Sequence, residues 1–294
     1  MNRYNLSKRL LKVATLVEPA AFLADIGCDH GFLAISLVKS GIVKRAFCSD
    51  INEGPLKRAS EHIKEFGLED KISTCLSDGL LAIKDKYDDY PFDSAVICGM
   101  GGLMGVKIIH EADEFFRRMN VFYIQLQSDI ELVRLYLKNS GYSILFEDMV
   151  LEDGKYYTVM KVVNSCGGKN DGELQPKAIR PECASFAFVN SNVGINRDNK
   201  FAGTDFNEVP AILKDMYDKT DISDCVDLKY PYYEGMDQET YESFLNFLIN
   251  KYETIKSYLP DDSDRLPVIN KELKIMYQAY DRFTSIKHQH MVWS

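Results

Sequence analysis

Four short stretches of the chain carry the residue types that could do chemistry. Asp25-Ile-Gly-Cys-Asp-His-Gly31 sets two carboxylates, a histidine and two glycines in seven positions. Asp50 follows about twenty residues after that turn, the separation at which a nucleotide-binding βαβ unit places the acid that accepts from ribose hydroxyls. Ser77-Asp-Gly-Leu80 and Gly99-Met-Gly-Gly102 supply another acid and a second glycine-rich turn. The first turn is not G-x-G-x-x-G, and it holds carboxylates where a pyrophosphate would need bare N–H groups. An acid-bearing loop suits a ligand with positive charge, such as the sulfonium and α-amino groups of S-adenosylmethionine.

These stretches need elements to position them. Phe22 to Ile26 is too brief an apolar run for a helix and is expected to be a strand. Gly31 to Ser40 then has helical length and spacing. The same strand–turn–helix alternation continues. Arg45 to Ile51 is expected as strand two, followed by a helix from Pro55 to Gly67. Lys71 to Gly79 is strand three. Phe92 to Cys98 is strand four, with a helix from Leu103 to Arg118. Phe122 to Gln127 is strand five, with a helix from Ile130 to Asn139. Tyr142 to Leu151 and Tyr156 to Val163 alternate as two strands joined by a turn at Glu152-Asp-Gly-Lys155. The pattern is an α/β doubly wound, Rossmann-like sheet closed by an antiparallel β-hairpin. Every acid and glycine singled out above falls at the carboxyl end of a strand, where such sheets bind ligands. The closing hairpin suits class I methyltransferases better than dehydrogenases.

The chain has 294 residues and a formal charge of -9, so no global basic field points to nucleic acid. Any RNA contact must use local patches. Asn5 to Val17 is expected as an amphipathic helix whose polar side carries Lys8, Arg9 and Lys12. That side is either a solvated face or a basic approach to a cofactor pocket or phosphate backbone. The seven cysteines never form C-x-x-C, which fits a reducing, cytoplasmic setting without disulfides. Neither a membrane span nor a signal peptide is expected, and no metal site.

Together, Leu6-Ser-Lys-Arg-Leu10, Asp25-Ile-Gly-Cys-Asp-His30, Ser77-Asp-Gly-Leu80, Gly99-Met-Gly-Gly102 and Leu151-Glu-Asp-Gly-Lys-Tyr-Tyr157 resemble the bacterial tRNA (adenine-N1)-methyltransferases that modify adenine 22. The resemblance spans Asn5 to Val163. It implies S-adenosylmethionine as cofactor and tRNA as partner, in a cytoplasmic, monomeric enzyme. By position, it implies that Asp25, Gly27, Asp29 and His30 form the methionine pocket. Asp50 and Ile51 would take the ribose and adenine edge, and Asp78 and Gly79 would meet the adenine. Gly99 and Met100 would line the place where base and methyl group meet, and Lys8 and Arg9 would face RNA. Asp29 is the candidate for offsetting positive charge during transfer, while His30 either orients the base or caps the turn. One departure is Gln127-Ser128-Asp129, where the family pattern is Gln-Pro-Asn. Two other functions also fit a cofactor-binding sheet: methyl transfer to a small molecule, or cofactor binding without catalysis.

Beyond the sheet domain (1–163), residues 164–236 are turn-rich and read as an irregular insertion or linker. In 237–294, Tyr241, Leu245, Leu248, Tyr252, Ile255 and Leu259 alternate by four and three residues. So do Leu266, Ile269, Leu273, Met276, Tyr280 and Phe283. That spacing is expected to form an antiparallel coiled-coil hairpin. The family resemblance implies that it helps to grip tRNA.

Overall fold

The computed structural model describes residues 6–86, 88–165, 225–232 and 235–292. Helix α1 (Lys8–Leu16) starts at Ser7, whose hydroxyl accepts from the Leu10 N–H. Then come β1 (Ala20–Ile26), α2 (Phe32–Lys39), β2 (Val43–Asp50), α3 (Glu53–Glu65), β3 (Ile72–Leu76) and β4 (Ser94–Met100). The chain continues through α4 (Gly102–Glu111), α5 (Asp113–Arg118), β5 (Val121–Leu126), α6 (Ile130–Asn139), β6 (Tyr142–Glu152) and β7 (Lys155–Asn164). The sheet order is β3-β2-β1-β4-β5-β7-β6. The first five strands are parallel, and β7 runs antiparallel to both of its neighbours.

Successive side chains of a strand point to opposite faces, so each strand feeds two cores. On β1, Leu23 joins a core with Val13, Ile35 and Ile63 from α1, α2 and α3. Ala24 and Ile26 join the other, with Val106, Phe116 and Leu137 from α4, α5 and α6. The β6–β7 turn is a two-residue hairpin loop in which Asp153 (φ 49°) and Gly154 (φ 72°) both adopt positive φ. That geometry matches the twist of the flanking strands.

Two elements differ from the sequence expectation. The helix expected over Leu103 to Arg118 is broken at Ala112 (φ −114°, ψ 27°). Beyond the break, Phe115 and Phe116 of α5 are both buried in the core. After β3 there is no α-helix but a 3-10 turn over Leu81–Lys86, which buries Ile83.

The C-terminal part holds α7 (Val226–Lys229), α8 (Gln238–Ser257) and α9 (Leu266–Val292). Asp237 caps α8 by accepting from the Thr240 N–H at 2.7 Å. Helices α8 and α9 form a hairpin. Ile249, Ile269, Leu273 and Met276 are buried between them, with Leu248, Tyr252, Ile255 and Leu259 packed alongside. The end nearer the sheet buries Tyr241, Leu245 and Phe283 against Met149 of β6. Residues 166–224, most of the expected insertion, lie outside the described residues.

Ionic contacts fix the hairpin to the sheet. Arg134 of α6 pairs with Glu147 of β6, with Nε donating to Oε2 at 3.1 Å, and both side chains are buried. Arg134 Nη1 also donates to the Lys229 carbonyl at 3.2 Å. Lys229 Nζ in turn donates to Glu272 of α9 at 2.6 Å. Removing one partner of a buried pair strands the other charge away from water, at a cost of roughly 3–5 kcal/mol. Arg134→Met should therefore lower unfolding free energy by about that much in urea titration. Arg134→Met with Glu147→Leu should recover most of the loss; equal stability of the two variants would mean that the pair is not what the single substitution breaks.

Candidate active site

At the β1 carboxyl end the chain turns through Gly27 to Gly31. The N–H groups of Gly27 and Cys28 both donate to the Ser49 carbonyl on β2, at 2.8 and 3.0 Å. Asp50 completes the link. Its Oδ2 accepts from the Asp29 N–H at 3.3 Å and its Oδ1 from the Asn52 N–H at 2.9 Å. Each oxygen keeps a second lone pair for a hydroxyl. Asp29 stands at φ 47°, a left-handed conformation that Asp and Asn tolerate better than most residues. Its carboxylate is exposed, 3.6 Å from Arg58 Nη2 and 3.7 Å from His30 Nε2. The His30 carbonyl accepts from His62 Nδ1 at 3.0 Å, and the rings of His30, Phe32 and His62 stack.

The β4 turn lies directly beside this loop. Gly27 has φ +72°, and a Cβ there would stand 2.8 Å from Met100 Cε. The β4–β5 register slips between Cys98 and Met100. The displaced Gly99 peptide is held at both ends. Its N–H donates to Gln125 Oε1 at 3.1 Å, and its carbonyl accepts from Gln127 Nε2 at 2.8 Å. Gly102 opens α4 so close to the β5 loop that a Cβ would meet the Ser128 carbonyl at 2.4 Å. Asp129 takes φ 55° and accepts from the Ser128 hydroxyl at 2.6 Å. The third residue of the Gln-Ser-Asp departure is thus left-handed.

The structure brings together Asp25, Gly27, Asp29, His30, Asp50 and Ile51 at adjacent strand ends, with Gly99 and Met100 across the β1–β4 boundary. Ile51, Leu76 and Leu81 leave apolar surface open at the ends of β2 and β3. Asp78 is less free than expected, because Lys107 of α4 donates to its Oδ2 at 2.7 Å; Gly79 beside it faces Ile108. The Arg9 guanidinium lies over the Tyr157 ring and 3.5 Å from Glu152, which anchors α1 to the β-hairpin. Lys8 keeps an exposed side chain. Gln125, which clamps Gly99 together with Gln127, was missed in the sequence; its signal was an amide inside the otherwise apolar strand VFYIQL. A separate hollow lined by His110, Asp113, Arg117 and Tyr136 lies at the opposite end of the sheet, by the C-termini of α4 and α6.

A methyltransferase-domain model matches residues 6–160, just over half of the chain. The chain belongs to this methyltransferase family. Among its relatives, the tRNA (adenine(22)-N(1))-methyltransferase of Bacillus subtilis is 31% identical over 160 residues, which cover 54% of this chain and 66% of that enzyme. The fold is also that of solved structures. M. capricolum TrmK in complex with S-adenosyl-homocysteine superposes with a TM-score of 0.64 at 22% identity, covering 94% of this chain and 98% of that one. B. subtilis TrmK gives 0.63 at 19% identity, covering 94% and 99%.

Methyltransferases of this fold use S-adenosylmethionine, and the residues present fit it. The turn offers carboxylates to a cationic ligand, Asp50 has acceptor capacity for hydroxyls, and Ile51 gives an apolar edge for a purine. Asp25 is the most deeply placed of the acids, 3% exposed. It accepts from the Ala34 N–H at the start of α2, and its Oδ2 has no hydrogen-bond partner among the described residues. Burial, reinforced by the charge of Asp50, pushes its pKa up to about 7.

A raised carboxyl pKa makes the folded state bind a proton that the unfolded chain has already lost. Between the unfolded value near 3.8 and about 7, stability therefore falls as pH rises, by up to about 4 kcal/mol. Asp25→Asn should remove this slope in the ligand-free protein. Its advantage in urea midpoint over wild type should grow from pH 4 to pH 7 and then level off. A constant difference across that range would place the Asp25 pKa near its ordinary value.

Proposed function

We propose that this protein transfers the methyl group of S-adenosylmethionine to N1 of adenine 22 in tRNA. The observation that carries this reading is the likeness to the B. subtilis enzyme over 160 residues, alongside the methyltransferase-domain match to residues 6–160. Support comes from the acid-bearing turn beside the clamped Gly99-Met100 turn. We assign residues 1–163 to cofactor binding and catalysis, 164–236 to an insertion or linker, and 237–294 to a helical hairpin that helps to hold tRNA. The enzyme works as a cytoplasmic monomer. No helix among the described residues is long and apolar enough to cross a membrane.

When bound, S-adenosylmethionine supplies an electrophilic methyl group on a sulfonium centre. Adenine N1 already carries a lone pair, so the protein need not remove a proton before attack. Its task is placement and charge stabilisation. Asp50 accepts from the ribose hydroxyls, and Ile51 covers one side of the cofactor adenine, with Asp78 and Gly79 at its edge. Asp25, Gly27 and the turn that follows hold the methionine end. Gly99 and Met100, fixed by Gln125 and Gln127, line the space where the target base enters. Asp29 offsets positive charge as the ring becomes cationic, and His30 orients the base. Lys8 meets RNA phosphate.

The direct test incubates the protein and cofactor with an unmodified tRNA transcript, then analyses nucleosides by mass spectrometry. Methylation at N1 of adenine 22 is expected, and product on no RNA sinks the proposal. For the cofactor, Asp50→Ala should weaken binding by roughly 1.5–3 kcal/mol in isothermal titration, through loss of a charge-assisted acceptor; unchanged affinity removes Asp50 from the site. Asp29→Asn keeps the shape and the left-handed conformation, so folding should survive. It should lower kcat with little change in KM for tRNA. Full recovery of rate at saturating cofactor would show instead that Asp29 serves binding of the cofactor.

A further inference from the structure

Helix α8 has an exposed face that lacks carboxylates beyond its first turn. Beyond its first turn, the exposed side chains include Ser243, Phe247, Asn250, Lys251 and Thr254, and none of the exposed positions is a carboxylate. The two acids further along the helix are turned toward α9 and engaged. Glu242 accepts from Lys287 and Tyr280, and Glu253 accepts from Tyr277. Phe247 is 47% exposed, and Tyr258 at the helix end is 82% exposed. Eleven residues of helix separate them by about 16 Å along the axis. In a chain of net charge -9, this is a strip that does not repel a polyanion and offers amide and ammonium donors between two aromatic rings, while the Thr254 hydroxyl already donates to the Asn250 carbonyl.

The strip runs on to the candidate active site. Tyr156 of β7 shares a hydrogen bond of 2.7 Å with the Ser243 hydroxyl, and its ring lies 5.7 Å from that of Phe247. Thr158 is paired with Leu126 at the end of β5. Tyr156 is two residues nearer the β-hairpin tip, level with the Gln127–Ser128 loop that borders the Gly99 turn. A surface therefore leads from the catalytic end of the sheet along α8.

Resting on the tRNA reading above, we infer that this face of α8 is the RNA-docking surface. Phe247 and Tyr258 stack on unpaired bases, and Lys251 with its polar neighbours contacts sugar and phosphate. Stacking on aromatic rings with donors to the backbone is how proteins hold single-stranded or splayed RNA. A second copy of the chain fits less well, because stable self-interfaces have a more apolar centre than two separated rings set in amides and hydroxyls.

The test uses the full-length protein and an unmodified tRNA transcript at fixed salt. Phe247→Ala should raise the Kd for tRNA about five- to tenfold, while Phe247→Trp restores it. Lys251→Glu should weaken binding and flatten the salt dependence. Cofactor affinity should stay within about twofold in all three variants, which separates docking from misfolding. If wild type methylates tRNA but Phe247→Ala binds it unchanged, the docking surface is wrong and the activity stands. If wild type neither binds nor methylates tRNA, both fall. If sedimentation shows a wild-type dimer that Phe247→Ala dissociates, the face belongs to a second copy and the proposal is overturned.

Discussion

Where β1 and β4 lie side by side, the helices that follow them leave on opposite faces of the sheet. Helix α2 covers the face built on Leu23 and Ile35, and α4 covers the face built on Ala24 and Val106. Neither crosses the strand ends between them, so a crevice opens there that no helix can close. The placement of the β1 and β4 candidates follows from this reversal. The Gly27–Gly31 turn and the Gly99–Gly102 turn are neighbours only because their strands are, though the chain separates them widely. The near contact between Gly27 and Met100 measures how closely the two turns approach.

Three carboxylates sit around one turn, and they differ in surroundings more than in chemistry. Asp50 is tied to two backbone N–H groups and holds the turn to β2. Asp25 is buried with one oxygen that has no partner among the described residues, and its pKa is raised by desolvation first and by Asp50 second. Asp29 is exposed beside Arg58. A cationic ligand entering this loop would meet an acceptor already organised, a reservoir of unexpressed charge and a solvated acid. Three equivalent buried acids would differ from this gradation, because buried like charges disfavour each other's ionisation.

The C-terminal hairpin is joined to the sheet through groups drawn from four elements. Arg134, Glu147, Lys229 and Glu272 connect α6, β6, α7 and α9, and Tyr156 reaches Ser243 of α8. Desolvated ion pairs of this kind hold geometry more than they add stability. The β-hairpin is anchored on its other side by α1, where Arg9 and Lys12 pair with Glu152 and Asp148. The β6–β7 ribbon is therefore gripped from both sides at the end of the sheet where the candidate site lies.

The local pattern of residues was enough to place the strands, the turns and the acids at strand ends. The strand–turn–helix alternation, the Asp-Gly hairpin turn and the three-four spacing of α8 and α9 all rest on interactions within a few residues of chain, and these are written in the sequence. It was not enough to show which charges would be occupied. Lys8, Arg9 and Lys12 look alike on a helical wheel, yet Arg9 and Lys12 find partners on a ribbon more than 130 residues away, and only folding brings those acids near. Asp78 has the same history with Lys107. The break at Ala112 was equally invisible, because alanine is a strong helix former and no proline or glycine marks the junction. Sequence alone set what each strand end carries; the tertiary structure decided which of those groups remain open to a ligand, because burial and ion pairing depend on neighbours that sequence distance conceals.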